Sequence, residues 1–219
     1  MEELHAMKTC NNFLTYLLVL LVILPLLLVM GCQKKEGAQE TQQLVTYENL
    51  QIAYGVAMKR ALWYNRFAKQ AEKEGLSNVA FLFHVVSRSE QIHADNHAKL
   101  LRSKGIEPRV LQIDSVAPGK ARQYLKMSVG NETVQIEATY PPMIRTAEAE
   151  KFTEAMEQFK TSLEGDKRHF ELLKWAADRG GDVPRARLFL CRECGYIVTS
   201  EKTEECPACH AKKDKFEKL

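Results

Sequence analysis

Glycine and proline are scarce, at 11 and 7 of 219 residues. An all-β fold threaded through many tight turns needs more of both, so that class is disfavoured. Charge of one sign is lacking too. Lys+Arg 31 against Asp+Glu 28 leaves a formal net charge of +3. That field is too weak for a dedicated nucleic-acid binder, so no nucleic-acid partner is expected. There is no nucleotide-binding glycine loop, no Walker motif and no nucleophile-elbow serine. Electrons from a nicotinamide source would therefore have to arrive through another protein. Cysteine is sparse and unevenly placed. Cys10 and Cys32 lie near the N-terminus, while Cys191, Cys194, Cys206 and Cys209 crowd the C-terminal end. A disulfide framework would spread its cysteines over the domain it staples, so this clustering points to a metal. What is present, 45% apolar and 27% charged residues, suits a folded globular chain.

One long apolar run stands out. Phe13 to Met30 carries no charge and is followed by Gly31-Cys32. Lys8, the apolar core and a small residue before a cysteine resemble a bacterial lipoprotein signal. In that reading Cys32 becomes the lipidated first residue of the mature protein. The alternative is an uncleaved transmembrane helix, because a run of this length nearly spans a bilayer. Either reading places the protein at a membrane, on the outer face of the bacterial cytoplasmic membrane or in the periplasm. The chain then divides into a signal or anchor (1–31), a polar Gln-rich linker (32–46), a helical bundle (47–180), a second linker (181–188) and a cysteine-rich domain (189–219).

Helical periodicity dominates the middle. Leu50, Ala53, Tyr54, Ala57, Ala61, Tyr64, Ala68 and Ala71 recur at spacings of three and four, so a helix is predicted from Tyr47 to Glu74. Gly75 ends it and Ser77 is the expected cap of a second helix running to Arg102. Gly105 and Pro108 stop that helix, and residues 106–118 are a connector long enough to cross a bundle. A third helix is predicted from Gly119 to Glu148, kinked at Pro141-Pro142. A fourth runs from Phe152 to Asp178 and ends at Gly180-Gly181. Two helical pairs with a longer crossover make an all-α, ferritin-like four-helix bundle.

The most specific motif is C-terminal. Cys191-Arg-Glu-Cys194-Gly-Tyr and Cys206-Pro-Ala-Cys209 are two Cys-x-x-Cys pairs. Each pair can present two thiolates from one knuckle turn, and four thiolates close a tetrahedral shell. Gly195 can take the positive φ such a turn needs. Spacing does not separate iron from zinc. His210 reads as a surface residue.

These knuckles, with Phe216 downstream, closely resemble the rubredoxin-like domain at the end of rubrerythrins. Asn49-Leu50, Lys73-Glu74-Gly75, Glu90-x-x-His93-Ala94, Tyr140-Pro141 with Arg145-Thr146-Ala147, and His169 resemble that family in order and spacing over residues 47–219. The resemblance implies a di-iron carboxylate site in the bundle and an iron–tetrathiolate centre that feeds it electrons. It also implies a redox partner protein as donor, two-electron reduction of hydrogen peroxide, and a homodimer.

The bundle departs from the family pattern. Ferritin-like sites take one Glu from each of two helices and a Glu-x-x-His from each of the other two. Glu90-x-x-His93 meets this, with Glu90 and His93 as the implied catalytic pair and His93 as a mobile ligand. On the fourth helix the match is Asp166-x-x-His169, one methylene shorter. The family's first-helix Glu falls on Ala57, and its third-helix pair falls on Glu132 and Gln135. The surviving ligand set is Glu90, His93, Glu132, Asp166 and His169. An intact di-iron pair, a mononuclear or altered site, and no metal all stay open. Two functions follow: a membrane-tethered peroxidase, or an electron-transfer or metal-binding module with a degenerate bundle site. His97 is expected to be an exposed helix histidine, and His84 an ordinary one. Trp63, Tyr64, Phe67, Phe81 and Phe83 read as core, as by default do Tyr124 and Tyr140, which could instead shield a metal site.

Overall fold

The computed structural model describes residues 44–109, 112 and 116–219. The apolar run and Cys32 lie outside the described residues. Among those described, no helix is long and apolar enough to cross a membrane.

Helix α1 spans Val45–Lys73 and α2 spans Ser77–Ser103, an antiparallel pair joined at Gly75, whose φ is 74°. Their close packing follows from composition. Ala53, Ala57, Ala61, Ala68 and Ala71 are all buried along α1, so the backbones approach without bulky side chains between them. Helix α1 begins two residues before Tyr47, because the Glu150 carboxylate accepts from the backbone N–H groups of Val45 and Thr46 at 2.8 and 2.9 Å. It satisfies two of the helix's orphan donors from across the fold. Ser77 is not the cap of α2. That place falls to Leu76, and no side chain caps it.

Helix α3 spans Ala121–Val134 and α4 spans Tyr140–Ala149. Between them Gln135–Thr139 forms a π-helical turn. The expected kink at Pro141-Pro142 thus appears as a widened turn one step earlier. Neither proline can donate a backbone hydrogen bond, and each ring would collide with the carbonyl four residues back. The π turn moves those carbonyls aside and keeps α3 and α4 continuous. Helix α5 spans Thr153–Asp178 and closes the bundle.

The C-terminal unit is a three-stranded antiparallel sheet in the order β2-β1-β3, formed by Phe189–Cys191 (β1), Ile197–Val198 (β2) and Phe216–Lys218 (β3). Leu188, Leu190 and Ile197 are fully buried in the same apolar core as Phe67, Phe83, Leu125 and Leu173 of the bundle. Polar ties reinforce that seam. Arg88 pairs in bidentate fashion with Glu217, Arg168 donates to the Ile197 carbonyl, and Asn96 donates to that of Glu193. The cysteine module is thereby held against the flank of α2 and α5.

Candidate metal centres

The first centre is built from two matching knuckles. Cys191 N–H bonds to Tyr196 O while Gly195 N–H returns to Cys191 O. Cys206 N–H bonds to Ala211 O while His210 N–H returns to Cys206 O. Each knuckle turns through one positive-φ residue, Gly195 at 84° and His210 at 59°. The second was not anticipated, because histidine rarely adopts that conformation. His210 is largely exposed and contacts Glu205, as a surface residue would. The sulfurs face inward. Cys191 Sγ lies 3.7 Å from Cys209 Sγ, and Cys194 Sγ lies 3.5 Å from Cys206 Sγ. Metal–sulfur bonds of about 2.3 Å at tetrahedral angles place sulfurs about 3.8 Å apart, so one ion fits. Contacts with Cys191 and Cys194, acting against burial, pull the Cys206 thiol down to about 4, while contacts with Cys191 and Cys206 push the Cys194 thiol up, so without metal the four sulfurs share their protons unevenly.

The second centre lies inside the bundle. Glu90 and His93 project from α2, Glu132 from α3, and Asp166 and His169 from α5, each at most 1% exposed. Glu90, Glu132, Asp166 and His169 can bring one ligand atom each within 4.8 Å of one another. His93 Nδ1 stands at their edge, 3.6 Å from both Glu90 Oε2 and Asp166 Oδ1. The five sequence-predicted residues are therefore brought together. Ala57 is buried on α1 with no carboxylate to offer, and Gln135 opens the π turn.

A residue that sequence reasoning missed sits in their midst. Arg60, one turn after Ala57, is 4% exposed. Its Nη2 pairs with Glu90 Oε1 at 2.8 Å and with Glu132 Oε2, and its Nη1 donates to Asp166 Oδ2 at 2.7 Å. Burial alone would lower its pKa, but Asp166, Glu132 and Glu90 together hold it well above its ordinary value. The carboxylates respond unequally. Burial pushes Glu132 up to about 8 against the pull of Arg60, and burial likewise raises Asp166. For Glu90 burial is outweighed, chiefly by the Arg60 guanidinium, so its pKa falls far below the usual range. Tyr64, expected to be simple core, donates to Glu132 Oε1 at 2.5 Å.

Ser89 was also missed, and it joins the two centres. Its hydroxyl donates to the Gly195 carbonyl at 2.5 Å, and its oxygen lies 2.7 Å from His169 Nε2. A serine has one hydroxyl hydrogen, already used at Gly195, so Ser89 Oγ must accept from His169 Nε2–H. That network puts a hydrogen on Nε2 and turns Nδ1 toward Glu90, Asp166 and Glu132 oxygens at 3.2, 3.6 and 3.8 Å. Potential ligand atoms crowded together in a dry core suit a cation between them.

Two glycines make room for His93. A Cβ on Gly165 would lie 2.6 Å from His93 Nε2, and one on Gly195 would lie 3.1 Å from His93 Cδ2 and 2.8 Å from Ser89 O. Neither position tolerates a larger residue without displacing that ring or Ser89.

His97 is buried, not exposed as its position four residues past His93 suggested. It is no ligand. Gln158 Nε2 donates to its Nδ1 at 3.0 Å, and its Nε2 lies 3.4 Å from Ser162 Oγ. Burial pushes its pKa down to about 3. In acid the unfolded chain takes up a proton that the folded one refuses, so His97 costs stability as pH falls from about 6.5 towards 3. Relative to His97→Phe, the metal-free wild type should lose about 2 kcal/mol between pH 7 and pH 5, read from denaturant midpoints. His84, by contrast, is an ordinary surface residue beside Glu72.

A helical bundle with an internal carboxylate–imidazole cluster, carrying a four-cysteine module on its flank, defines a ferritin-like protein with a rubredoxin-like domain. The comparisons agree. The family model described as Rubrerythrin matches residues 48–177, and that described as Rubrerythrin, rubredoxin-like domain matches residues 189–217. The chain belongs to the rubrerythrin family. It is 29% identical to rubrerythrin-2 of Clostridium acetobutylicum over 176 residues, 79% of this chain and 96% of that one. It is 31% identical to nigerythrin of Nitratidesulfovibrio vulgaris over 174 residues, 78% of this chain and 85% of the other. A solved structure titled as the partially reduced state of nigerythrin superposes with a TM-score of 0.71 at 27% identity, covering 80% of this chain and 86% of that chain. The protein is an iron-binding redox protein with a rubredoxin-like domain.

Proposed function

We propose that the protein reduces hydrogen peroxide, with electrons reaching the bundle centre from the cysteine centre of the same chain. The observation that carries this reading is the short contact series from Cys194 to its neighbour Gly195, across to Ser89 Oγ and on to His169. The imidazole at its end presents Nδ1 to the carboxylate cluster. Overall, one peroxide takes two electrons and two protons and yields two waters. Iron, when bound at both centres, supplies one-electron redox chemistry. The chain's own residues do the rest. Four thiolates hold the accepting centre near the surface, where a donor protein can reach it. Ser89 orients the His169 ring by accepting from Nε2. Tyr64 holds a proton 2.5 Å from Glu132 Oε1. Glu90, His93, Glu132, Asp166 and His169 shape a site closed to bulk water. The same geometry gives Ser89 a positioning role. Removing such an outer partner typically lowers metal affinity about 10–100-fold, the loss expected for Ser89→Ala at the bundle centre in a metal titration.

The test of the main reading is anaerobic. The reduced, iron-loaded full-length chain is mixed with peroxide, and the red absorption of the oxidised tetrathiolate centre is followed. Its return with two electrons consumed per peroxide, lost in Glu90→Ala, is the expected result. A centre that stays reduced beside peroxide overturns the proposal. Mixing Cys194→Ser chains with Glu90→Ala chains tests the route: restored turnover would mean that electrons pass between chains instead.

One observation favours a second reading. Arg60 neutralises part of the acidic cluster, as a bundle retired from catalysis would tolerate. In that case the chain is an electron-transfer or metal-binding module, and peroxide would leave the reduced tetrathiolate untouched. Attachment to a membrane through Cys32 or an uncleaved helix, and a homodimer, belong to the same proposal. Loss of processing in Cys32→Ala, and the mass of the purified protein in solution, test them.

A further inference from the structure

We infer that the bundle holds one metal ion, and that the Arg60 guanidinium occupies the place of a second. The inference rests on the bundle being an iron centre and deepens that reading by fixing its nuclearity.

The oxygen atoms divide into two groups. One oxygen of each carboxylate, Glu90 Oε1, Glu132 Oε2 and Asp166 Oδ2, pairs with Arg60. Glu132 Oε1 is taken by the Tyr64 hydroxyl. What remains is Glu90 Oε2, Asp166 Oδ1, both ring nitrogens of His93 and His169 Nδ1, all buried and all without a hydrogen-bond partner. Asp166 Oδ1 lies 3.6 Å from each of the two Nδ1 atoms, and Glu90 Oε2 lies 3.6 Å from that of His93. Ligand bonds of about 2.0–2.2 Å place neighbouring donors on one ion about 3.0–3.6 Å apart. Linked by these three spacings, with His169 Nδ1 also 3.2 Å from Glu90 Oε1, the two Nδ1 nitrogens and two oxygens are the donor set we assign to a single ion. None of the four needs to leave Arg60 to serve.

Charge gives the same answer. Glu90, Glu132 and Asp166 carry three negative charges when ionised, and Arg60 returns one positive charge. One divalent ion balances the remainder. Two would leave a dry core with an excess of positive charge, which costs several kcal/mol. Arg60 does not solve this by losing its proton, since guanidinium stays charged in proteins. Nor does another α1 residue supply the missing carboxylate, because Ala57 occupies the adjacent turn of that face. The two positions belong together: Ala57 leaves space and removes a negative charge, and Arg60 fills space and adds a positive one.

The test counts ions in the full-length chain. Mn²⁺ is the probe, because its preference for oxygen and nitrogen donors keeps it off the thiolate centre. Wild type should bind one Mn²⁺ per chain and show the resolved hyperfine spectrum of an isolated ion. Arg60→Lys keeps the charge and should also bind one. Ala57→Glu/Arg60→Ala restores a carboxylate and removes the guanidinium, and should bind two with the broadened spectrum of a coupled pair. Two ions in wild type overturn this inference and leave the peroxide proposal standing. No ion in wild type overturns both.

Discussion

Cys194→Ser is expected to strip the C-terminal iron, abolish the red colour of the oxidised protein and stop electron entry, while leaving the helical bundle folded. The size of the effect follows from what holds the module together. Its strands are 3, 2 and 3 residues long, far too short to persist on their own hydrogen bonds. Its only apolar cluster away from the bundle is made of the cysteines themselves with Tyr196, Ala208, Ala211 and Phe216 packed round them. Closing four thiolates on one ion stabilises such units by roughly 10–16 kcal/mol in the zinc case, the largest single term available here. Serine is close in shape but offers a hard oxygen that is a poor ligand beside three thiolates. The bundle survives because Leu188, Leu190 and Ile197 stay anchored in its core. Iron analysis should therefore fall by one per chain, helical circular dichroism should hold, and amide protection should vanish from the knuckles alone. A variant that keeps its colour and its full iron would show that Cys194 is not a ligand.

The legibility of these two centres in the sequence differed for a physical reason. A tetrathiolate is local: two knuckles of four residues each carry all the ligands, and the spacing survives any rearrangement of the rest. The bundle centre is assembled from three helices, so each helix shows only its own share. Glu90-x-x-His93 and Asp166-x-x-His169 were visible because positions three apart share a face. Arg60 was not, although a signal was there. It lies on the stripe that runs through Ala53, Ala57, Tyr64 and Ala68, and an arginine on an otherwise apolar face must have anionic partners. The ferritin-like pattern asks that helix for carboxylates, and an arginine does not match it. Ser89 was invisible for another reason. Its role depends on Gly195, more than a hundred residues away, and no periodicity reports a contact between a helix and a knuckle. His97 was misread because its stripe faces Gln158 and Ser162 of α5, which satisfy a buried imidazole without metal. Helix identity in the bundle was legible throughout, since alanine and aromatic spacing fixes a face whatever the chemistry. The π turn was legible only as a kink, because proline announces a disturbance but not how the carbonyls ahead of it will yield.

Arg60→Met is expected to destabilise the metal-free protein by about 3–5 kcal/mol, more than any surface change in this chain could. Methionine keeps much of the length and apolar stem, so the loss isolates the guanidinium. Three carboxylates would then face one another at 0% exposure with no cation between them. Replacing a whole buried ion network by apolar groups can be harmless, but deleting one partner leaves the others desolvated and unpaired. The folded variant answers by holding protons, which raises its carboxylate pKa values above those of the unfolded chain. Groups raised in this way stabilise the fold below their unfolded values near 4 and lose that contribution as pH rises, so the deficit should grow from pH 5 to pH 8. Divalent metal should reverse the ranking of responses. Wild type offers a cation a cluster already partly balanced, whereas the variant offers the full acidic charge, so Mn²⁺ should raise the denaturant midpoint of Arg60→Met by more than that of wild type. Adding Glu132→Gln to the variant removes one of the stranded charges and should restore part of the stability, giving a coupling energy that a purely local packing defect would not show. A metal-free Arg60→Met protein within about 0.5 kcal/mol of wild type would mean that Arg60 does not balance this cluster in solution, and the single-ion assignment would lose its electrostatic half.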